Sequence, residues 1–373
     1  MSAPHAKQTS ALCKPIQRYC NFQYKQGLIF GAPILDQARS GYEFYLEVFP
    51  GSSIYGNGSS NALEPLSKKS GQGEGYSRET PIIAVFSPGL NTTRLLWSNF
   101  AQELASHGLT VITMDHPYDT NAVEFLPHSS SAPDVIYGGR VDLPSYEPPY
   151  DWSAFEKGVQ VRLRDVTYLL DVLQVPHPQP HEVGCAVDVV MLGHSYGGGT
   201  SATAILRDKR IRAGFNIDGA MLGGAVTHGL GSGLTRGNPN PPYVLWGHES
   251  HNSSSTVADD GMWMRFWPLI TTNSTTPPGY VREVTLHNSY VDLNVLIDLV
   301  PGLRAQLAAL QSASASFQIG PDSLAGSRVY AALGRYIGSF FQFATGRAAE
   351  ADFWKKTGFG GSEYPEVEIL RTE

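Results

Sequence analysis

In the stretch VDVVMLGHSYGGGTSATAIL, residues 187–206, Ser195 is the middle letter of G-H-S-Y-G and follows an apolar run directly. The pattern G-x-S-x-G sets a serine hydroxyl on a sharp strand-to-helix turn, where it can act as a nucleophile. Glycines are needed at 193 and 197 because side chains there would collide with neighbouring backbone. A hydroxyl attacks only when a base takes its proton, and an acid must orient that base. His194 cannot fold back onto its neighbour, so in the chain order serine, acid, histidine the candidate bases are His228, His248, His251 and His287. His287 is favoured, since it follows the apolar strand in REVTLHNSYVDL directly. The acid is Asp218, which ends GFNID, or Glu249 in LWGHES; Asp218 has the cleaner strand end, and Glu249 falls in a polar turn. Beside Asp218 the small residues of GAMLGG, with Met221 among them, leave room for substrate.

A tetrahedral intermediate also needs two backbone N–H donors, one after the nucleophile and one from a loop after an earlier strand. Tyr196 and Leu90 fill those positions, the latter in SPGLNTT, where Gly89 lets the backbone come close to substrate.

The flanking elements must hold these residues at one edge. PIIAVFSPG and LTVITMDHPYD are short continuous apolar runs that suit buried parallel strands. The helical pattern TRLLWSNFAQELASHG lies between them, so 82–115 forms a βαβ unit. SAFEKGVQVRLRDVTYLLDVLQ is a longer helix leading into the strand VDVVML, and TSATAILRD is the helix after Ser195. Strands follow at AGFNID, PPYVLWG and YVREVTL, and SLAGSRVYAALGRYIGSFFQFATG is an amphipathic helix that closes one face. Strands alternating with helices predict an α/β fold with a mainly parallel, doubly wound sheet and helices on both faces. Residues 1–24 read as an extended arm and 25–373 as a single domain. In that domain 27–50 reads as two short strands, and 121–152 and about 250–280 as cap or lid insertions. Trp263, Phe266 and Trp267, in GMWMRFWPLI, would line the mouth of a pocket.

Composition narrows the function classes. With 42% hydrophobic and 16% charged residues and a net charge of -7, the chain offers no basic surface for nucleic acid or anionic lipid. No apolar run reaches the length of a membrane span. The N-terminus lacks the apolar core of a secretory signal, which reads as cytoplasmic. Four N-x-S/T sequons, at Asn57, Asn91, Asn252 and Asn273, suit secretion if a signal has been removed. Cys13, Cys20 and Cys185 show no metal-ligand spacing; Cys13 and Cys20 would pair only in an oxidising compartment. No cofactor or metal is expected.

Four segments together resemble the plasma-type platelet-activating factor acetylhydrolases. FSPGLNTTRLLWSNFAQELASHGLTVITMDH, GHSYGGGTS, GFNIDGAM and LHNSYVDL occur in that family's order and approximate spacing, over roughly residues 80–345. The resemblance implies an α/β-hydrolase fold, the triad Ser195, Asp218 and His287, oxyanion donors at Leu90 and Tyr196, no metal, and phospholipid esters with short or oxidised acyl chains as substrates. Two departures bear on the pocket. Pro88 stands where the family has histidine, and GAMLGG replaces a bulkier segment beside the acid, which should leave the site more open. The elbow is also similar to that of polyester hydrolases and related lipases. The expectation is therefore a serine carboxylic-ester hydrolase working through an acyl-enzyme on small or lipid-like esters. The same triad would also serve a polyester, thioester, lactone or natural-product acyl group, by hydrolysis or transfer. A non-catalytic receptor on a hydrolase fold is the reading from another class.

Overall fold

The run PIIAVFS becomes strand β2 (Ile82–Ser87), buried at every position. Its side chains alternate between two cores: Ile83 and Val85 face one, Ile82, Ala84 and Phe86 the other. A strand covered on both faces has no polar side to show, so its sequence reads as continuous apolar residues rather than an alternation. The same holds for β3 (Leu109–Met114), β6 (Asp188–His194) and β8 (Tyr243–Gly247).

The computed structural model describes residues 46–49, 81–125, 134–139, 141, 153–177, 187–221, 242–248, 279–283, 290–310, 324–349 and 363–370. With β1 (Leu46–Phe49), β7 (Ile211–Ile217), β9 (Gly279–Glu283) and β10 (Val367–Leu370), the strands form an eight-stranded sheet in the order β1-β3-β2-β6-β7-β8-β9-β10. The six inner strands run parallel, and β1 and β10 close the two edges antiparallel to β3 and β9. Helices α2 (Ser153–Val172) and α3 (Tyr196–Arg207) cover one face. Helices α1 (Ser98–Ser106) and α6 (Gly326–Ala344) cover the other. The short α4 (Asp292–Asp298) packs against α6 and is followed by α5 (Leu303–Leu310). Among the described residues no helix is long and apolar enough to cross a membrane.

Two local readings change. The helix expected from Thr93 onward opens as a 3-10 turn, Arg94–Trp97, before α1 begins. Within 121–152, read as an insertion without periodic structure, β4 (Ala122–Phe125) and β5 (Asp134–Tyr137) pair as an antiparallel hairpin. Val123 and Phe125 form the buried side of β4, with Ile136 of β5 packed against them. The arm 1–24, most of 250–280 and the three cysteines lie outside the described residues.

Strand order reverses between β2 and β6, and parallel sheets bind ligands at the carboxyl ends flanking such a switch point. Register then decides what gathers there. Ser87 pairs with Gly193, His194 with Ile217, and Ile217 with Trp246, so the segments after β2, β6, β7 and β8 leave the sheet side by side.

Candidate active site

Ser195 occupies the junction between β6 and α3 with φ 55 and ψ -121, a conformation that L-residues with a side chain rarely adopt. Its amide donates to the Ile217 carbonyl at 2.9 Å, which anchors the turn to β7. From Asp188 to Leu206, Ser195 alone is not fully buried. The glycines explain how so tight a turn is accommodated. A Cβ at Gly193 would lie 2.3 Å from the Gly197 backbone, and one at Gly197 would lie 1.9 Å from the Ser87 carbonyl oxygen. At Gly89 a Cβ would meet the Ser195 Cβ at 3.3 Å, so the loop after β2 runs directly over the serine.

That loop contains Leu90, and α3 begins at Tyr196. The amides of both donate to no acceptor among the described residues. The Gly89 carbonyl accepts from Thr92 Oγ1 at 2.8 Å and from the Thr92 amide at 3.3 Å. The Tyr196 side chain turns away from the site: its hydroxyl donates to the Phe155 carbonyl at 2.5 Å, and burial pushes its phenol pKa up.

Asp218, at the end of β7, also has a positive φ of 55 and is 1% exposed. Its amide donates to the Trp246 carbonyl at 2.6 Å. Asn216 shapes the turn, accepting from the Gly219 amide at 2.7 Å and donating to the Gly219 carbonyl at 2.9 Å. A Cβ at Gly219 would lie 2.0 Å from the Ser195 carbonyl oxygen, so the turn after Asp218 packs on the Ser195 turn only because residue 219 has no side chain. The Asp218 carboxylate accepts from the His248 amide at 3.0 Å and hydrogen-bonds His248 Nδ1 at 2.7 Å. His248, at the end of β8, is therefore the one of the four candidate histidines that the described residues bring to Asp218. His228, His251, His287 and Glu249 lie outside the described residues, as do Trp263, Phe266 and Trp267. Met221, expected at the pocket, is 0% exposed and belongs to the core beneath α3, with its thioether accepting from Asn216 Nδ2 at 3.0 Å.

A second chain of serine, histidine and carboxylate runs beneath the β2 loop. Ser87 Oγ lies 2.9 Å from His116 Nε2, and His116 Nδ1 lies 2.7 Å from Asp165 Oδ2. Ser87 is fully buried, so this chain has no access to substrate and reads as support for the loop. Burial favours the neutral form of both partners: it pushes the Asp165 carboxyl up to about 7 and the His116 imidazole down to about 3. Sequence reasoning did not find this chain, nor Arg162, Asp119 and Asn216. One signal was present. Arg162 falls on the apolar stripe of α2, between Val159 and Val166, where a charge needs buried partners.

Doubly wound sheets with a strained serine at the switch point are the architecture of α/β-hydrolases, and a solved structure matches it. The ferulic acid esterase from Streptomyces cinnamoneus superposes with a TM-score of 0.55, covering 79% of this chain and 75% of its own at 21% identity, a likeness of fold. Residues 55–174 match the family model described as platelet-activating factor acetylhydrolase, isoform II. A probable 1-alkyl-2-acetylglycerophosphocholine esterase from Arthroderma benhamiae is 34% identical over 303 residues, which span 79% of this chain and 67% of that protein. The platelet-activating factor acetylhydrolase of Canis lupus familiaris is 27% identical over 158 residues, 38% of this chain and 35% of the relative, so only about a third of that mammalian protein is matched. The chain belongs to the platelet-activating factor acetylhydrolase family, and with it to the ester hydrolases.

Proposed function

We propose that this chain is a serine carboxylic-ester hydrolase that works through an acyl-enzyme on short-chain or lipid-like esters. The observation that carries the reading is Ser195 itself, held at φ 55 under the Gly89 loop with the buried Asp218 at the next strand end. Strain of this kind costs roughly 1–3 kcal/mol and persists where the surroundings over-determine it, most often at active sites. The names of the relatives support a lipid-like ester as substrate, with an acetyl group on a glycerophosphocholine as the first candidate.

In this reading a histidine takes the Ser195 proton as Oγ attacks the ester carbonyl. Asp218 holds that imidazole in the right tautomer and balances its charge when it is protonated. The oxyanion is met by the Leu90 and Tyr196 amides, which sit at the start of a loop and of a helix, where donors are left over. The imidazolium then protonates the leaving alcohol, and water repeats the sequence to release the acid.

His287 is the proposed base, on the strength of the LHNSYVDL motif. His248 is the second reading, favoured by its Nδ1 at 2.7 Å from Asp218, the contact a triad histidine makes with its acid. Hydrolysis of p-nitrophenyl esters from acetyl to palmitoyl, by wild type and by Ser195→Ala, His287→Asn and His248→Asn, tests both points. Loss of the nucleophile or of the true base should lower kcat by about 10⁴–10⁶-fold, and loss of a histidine that only braces Asp218 by about 10-fold. A wild type that neither turns over any ester nor is labelled by a fluorophosphonate would sink the proposal.

A further inference from the structure

Arg162 is 1% exposed in the middle of α2, and a guanidinium cannot give up its charge to ease burial. It must spend its donors on acceptors, and all five are spent. Nε donates to Asp119 Oδ2 at 2.6 Å and Nη2 to Asp119 Oδ1 at 2.7 Å, a bidentate pair. Nη1 donates to the Pro88 carbonyl at 2.5 Å and to Ser87 Oγ at 3.1 Å, and Nη2 to the Gly89 carbonyl at 3.2 Å. The carboxylate alone would neutralise the charge. The other three bonds all end on Ser87, Pro88 and Gly89, the residues that lead into Leu90.

The direction of those bonds matters. In a trans peptide the carbonyl of one residue and the N–H of the next point opposite ways. With the Gly89 carbonyl held by Arg162 and Thr92, the Leu90 N–H is fixed on the side away from the guanidinium. The same guanidinium carbon lies 4.4 Å from the centre of the Tyr196 ring, on the residue that supplies the other amide. Asp119, which fixes the fork, is itself set by the turn after β3, where its amide donates to the His116 carbonyl at 3.1 Å. Ser87, His116 and Asp165 close the circuit back to α2, one turn along from Arg162.

We infer that Arg162 is a positioning residue for the oxyanion hole, fixing the Leu90 amide through the Pro88 and Gly89 carbonyls and bracing Tyr196 from beneath. The inference rests on the ester-hydrolase reading of Ser195 and its two donors. Lysine keeps the charge but has three donors on one nitrogen and no planar fork, so it cannot reproduce the bidentate pair with Asp119 together with the three bonds to the loop.

The test compares Arg162→Lys with Arg210→Lys in the full chain. Arg210 is an equally buried arginine, bonded to Asp208 and Asp171 and with no bond to the β2 loop, so its loss reports what a buried ion pair contributes to folding alone. Both variants are checked for fold by circular dichroism and thermal melting, then assayed for kcat, KM and inhibition by an alkyl trifluoromethyl ketone, whose hemiketal mimics the oxyanion. Arg162→Lys should lose about 10²–10³-fold in kcat, the range for one oxyanion donor, with KM within about threefold. Its affinity for the ketone should fall in parallel. Arg210→Lys should melt earlier with kcat unchanged. If Arg162→Lys does not fold, Asp119→Asn keeps the shape and frees one arm of the fork, with an expected kcat loss of about tenfold or more at unchanged KM. A folded Arg162→Lys or Asp119→Asn that keeps kcat and ketone affinity within about threefold overturns the inference while leaving the esterase reading intact. Wild type without turnover or fluorophosphonate labelling overturns both.

Discussion

Gly197→Ala tests whether contact between the elbow and the β2 loop sets the rate. A Cβ there would lie 1.9 Å from the Ser87 carbonyl oxygen, 2.6 Å from the Ser87 carbonyl carbon and 2.7 Å from the Pro88 oxygen, and all three are backbone atoms. No rotamer change relieves that. Carbon atoms do not approach closer than about 3.0 Å, so the two segments must part by about 1 Å. Overpacking of this kind costs roughly 1–3 kcal/mol in stability. Its effect on chemistry should be larger, because the parting separates Leu90 from Tyr196, and a misplacement of about 1 Å costs on the order of 10²-fold. Gly346→Ala is the control: Gly346 has φ +78 and open space around it, so alanine there adds only backbone strain, roughly 1 kcal/mol. The assay is kcat on p-nitrophenyl butyrate beside urea unfolding of both variants. Gly197→Ala should lose about 10²-fold or more in kcat while remaining folded, and Gly346→Ala should lose stability alone. A folded Gly197→Ala with kcat within about threefold of wild type would refute the argument that this contact sets the donor geometry.

Two further outcomes follow from buried carboxylates. Asp292, at the start of α4, accepts from the amides of Asn99 at 2.8 Å and Phe100 at 3.1 Å and from the Tyr330 hydroxyl at 2.7 Å, and α1 has no side-chain cap of its own. Asp292→Ala should therefore cost about 2–4 kcal/mol, read from the urea midpoint, and a loss below about 1 kcal/mol would mean that water replaces the cap. Asp165 is raised by burial from 3.8 to about 7, so the native state keeps a proton that the unfolded chain has released, and stability drawn from this group falls as pH rises through that window. Asp165→Asn removes the titration, so the variant's stability relative to wild type should improve from about pH 5 to about pH 7, by at most about 1.4 kcal/mol per pH unit. A difference that stays flat across that range would show the carboxyl to be ionised throughout.

Much of the scaffold was legible because its signals are local. β2, β3, β6 and β8 read as short, mainly apolar runs since both sheet faces are covered, and α2 and α6 carry helical apolar periodicity. The elbow was legible through Gly193 and Gly197, whose absent side chains a tight turn requires. The hairpin of β4 and β5 was not. Its alternation lasts four residues in β4, Ala122–Phe125, too few to stand out among the prolines and tyrosines that follow.

Partners across the fold were beyond the sequence. Asp292 caps a helix whose Asn99 is 193 residues away, and no pattern near either residue announces it. Arg162 was visible as a charge on an apolar stripe, but that its fork reaches Asp119 and the loop of Gly89 depends on α2 crossing under the β2 and β3 ends. The sequence by itself determined the layered architecture and the turn that presents Ser195, because hydrophobic period and glycine placement act on neighbours in the chain. Only the tertiary structure decided that Asp218 meets His248, and which buried charges steady the loop above Ser195, because those bonds depend on strand register and helix placement rather than on spacing along the chain.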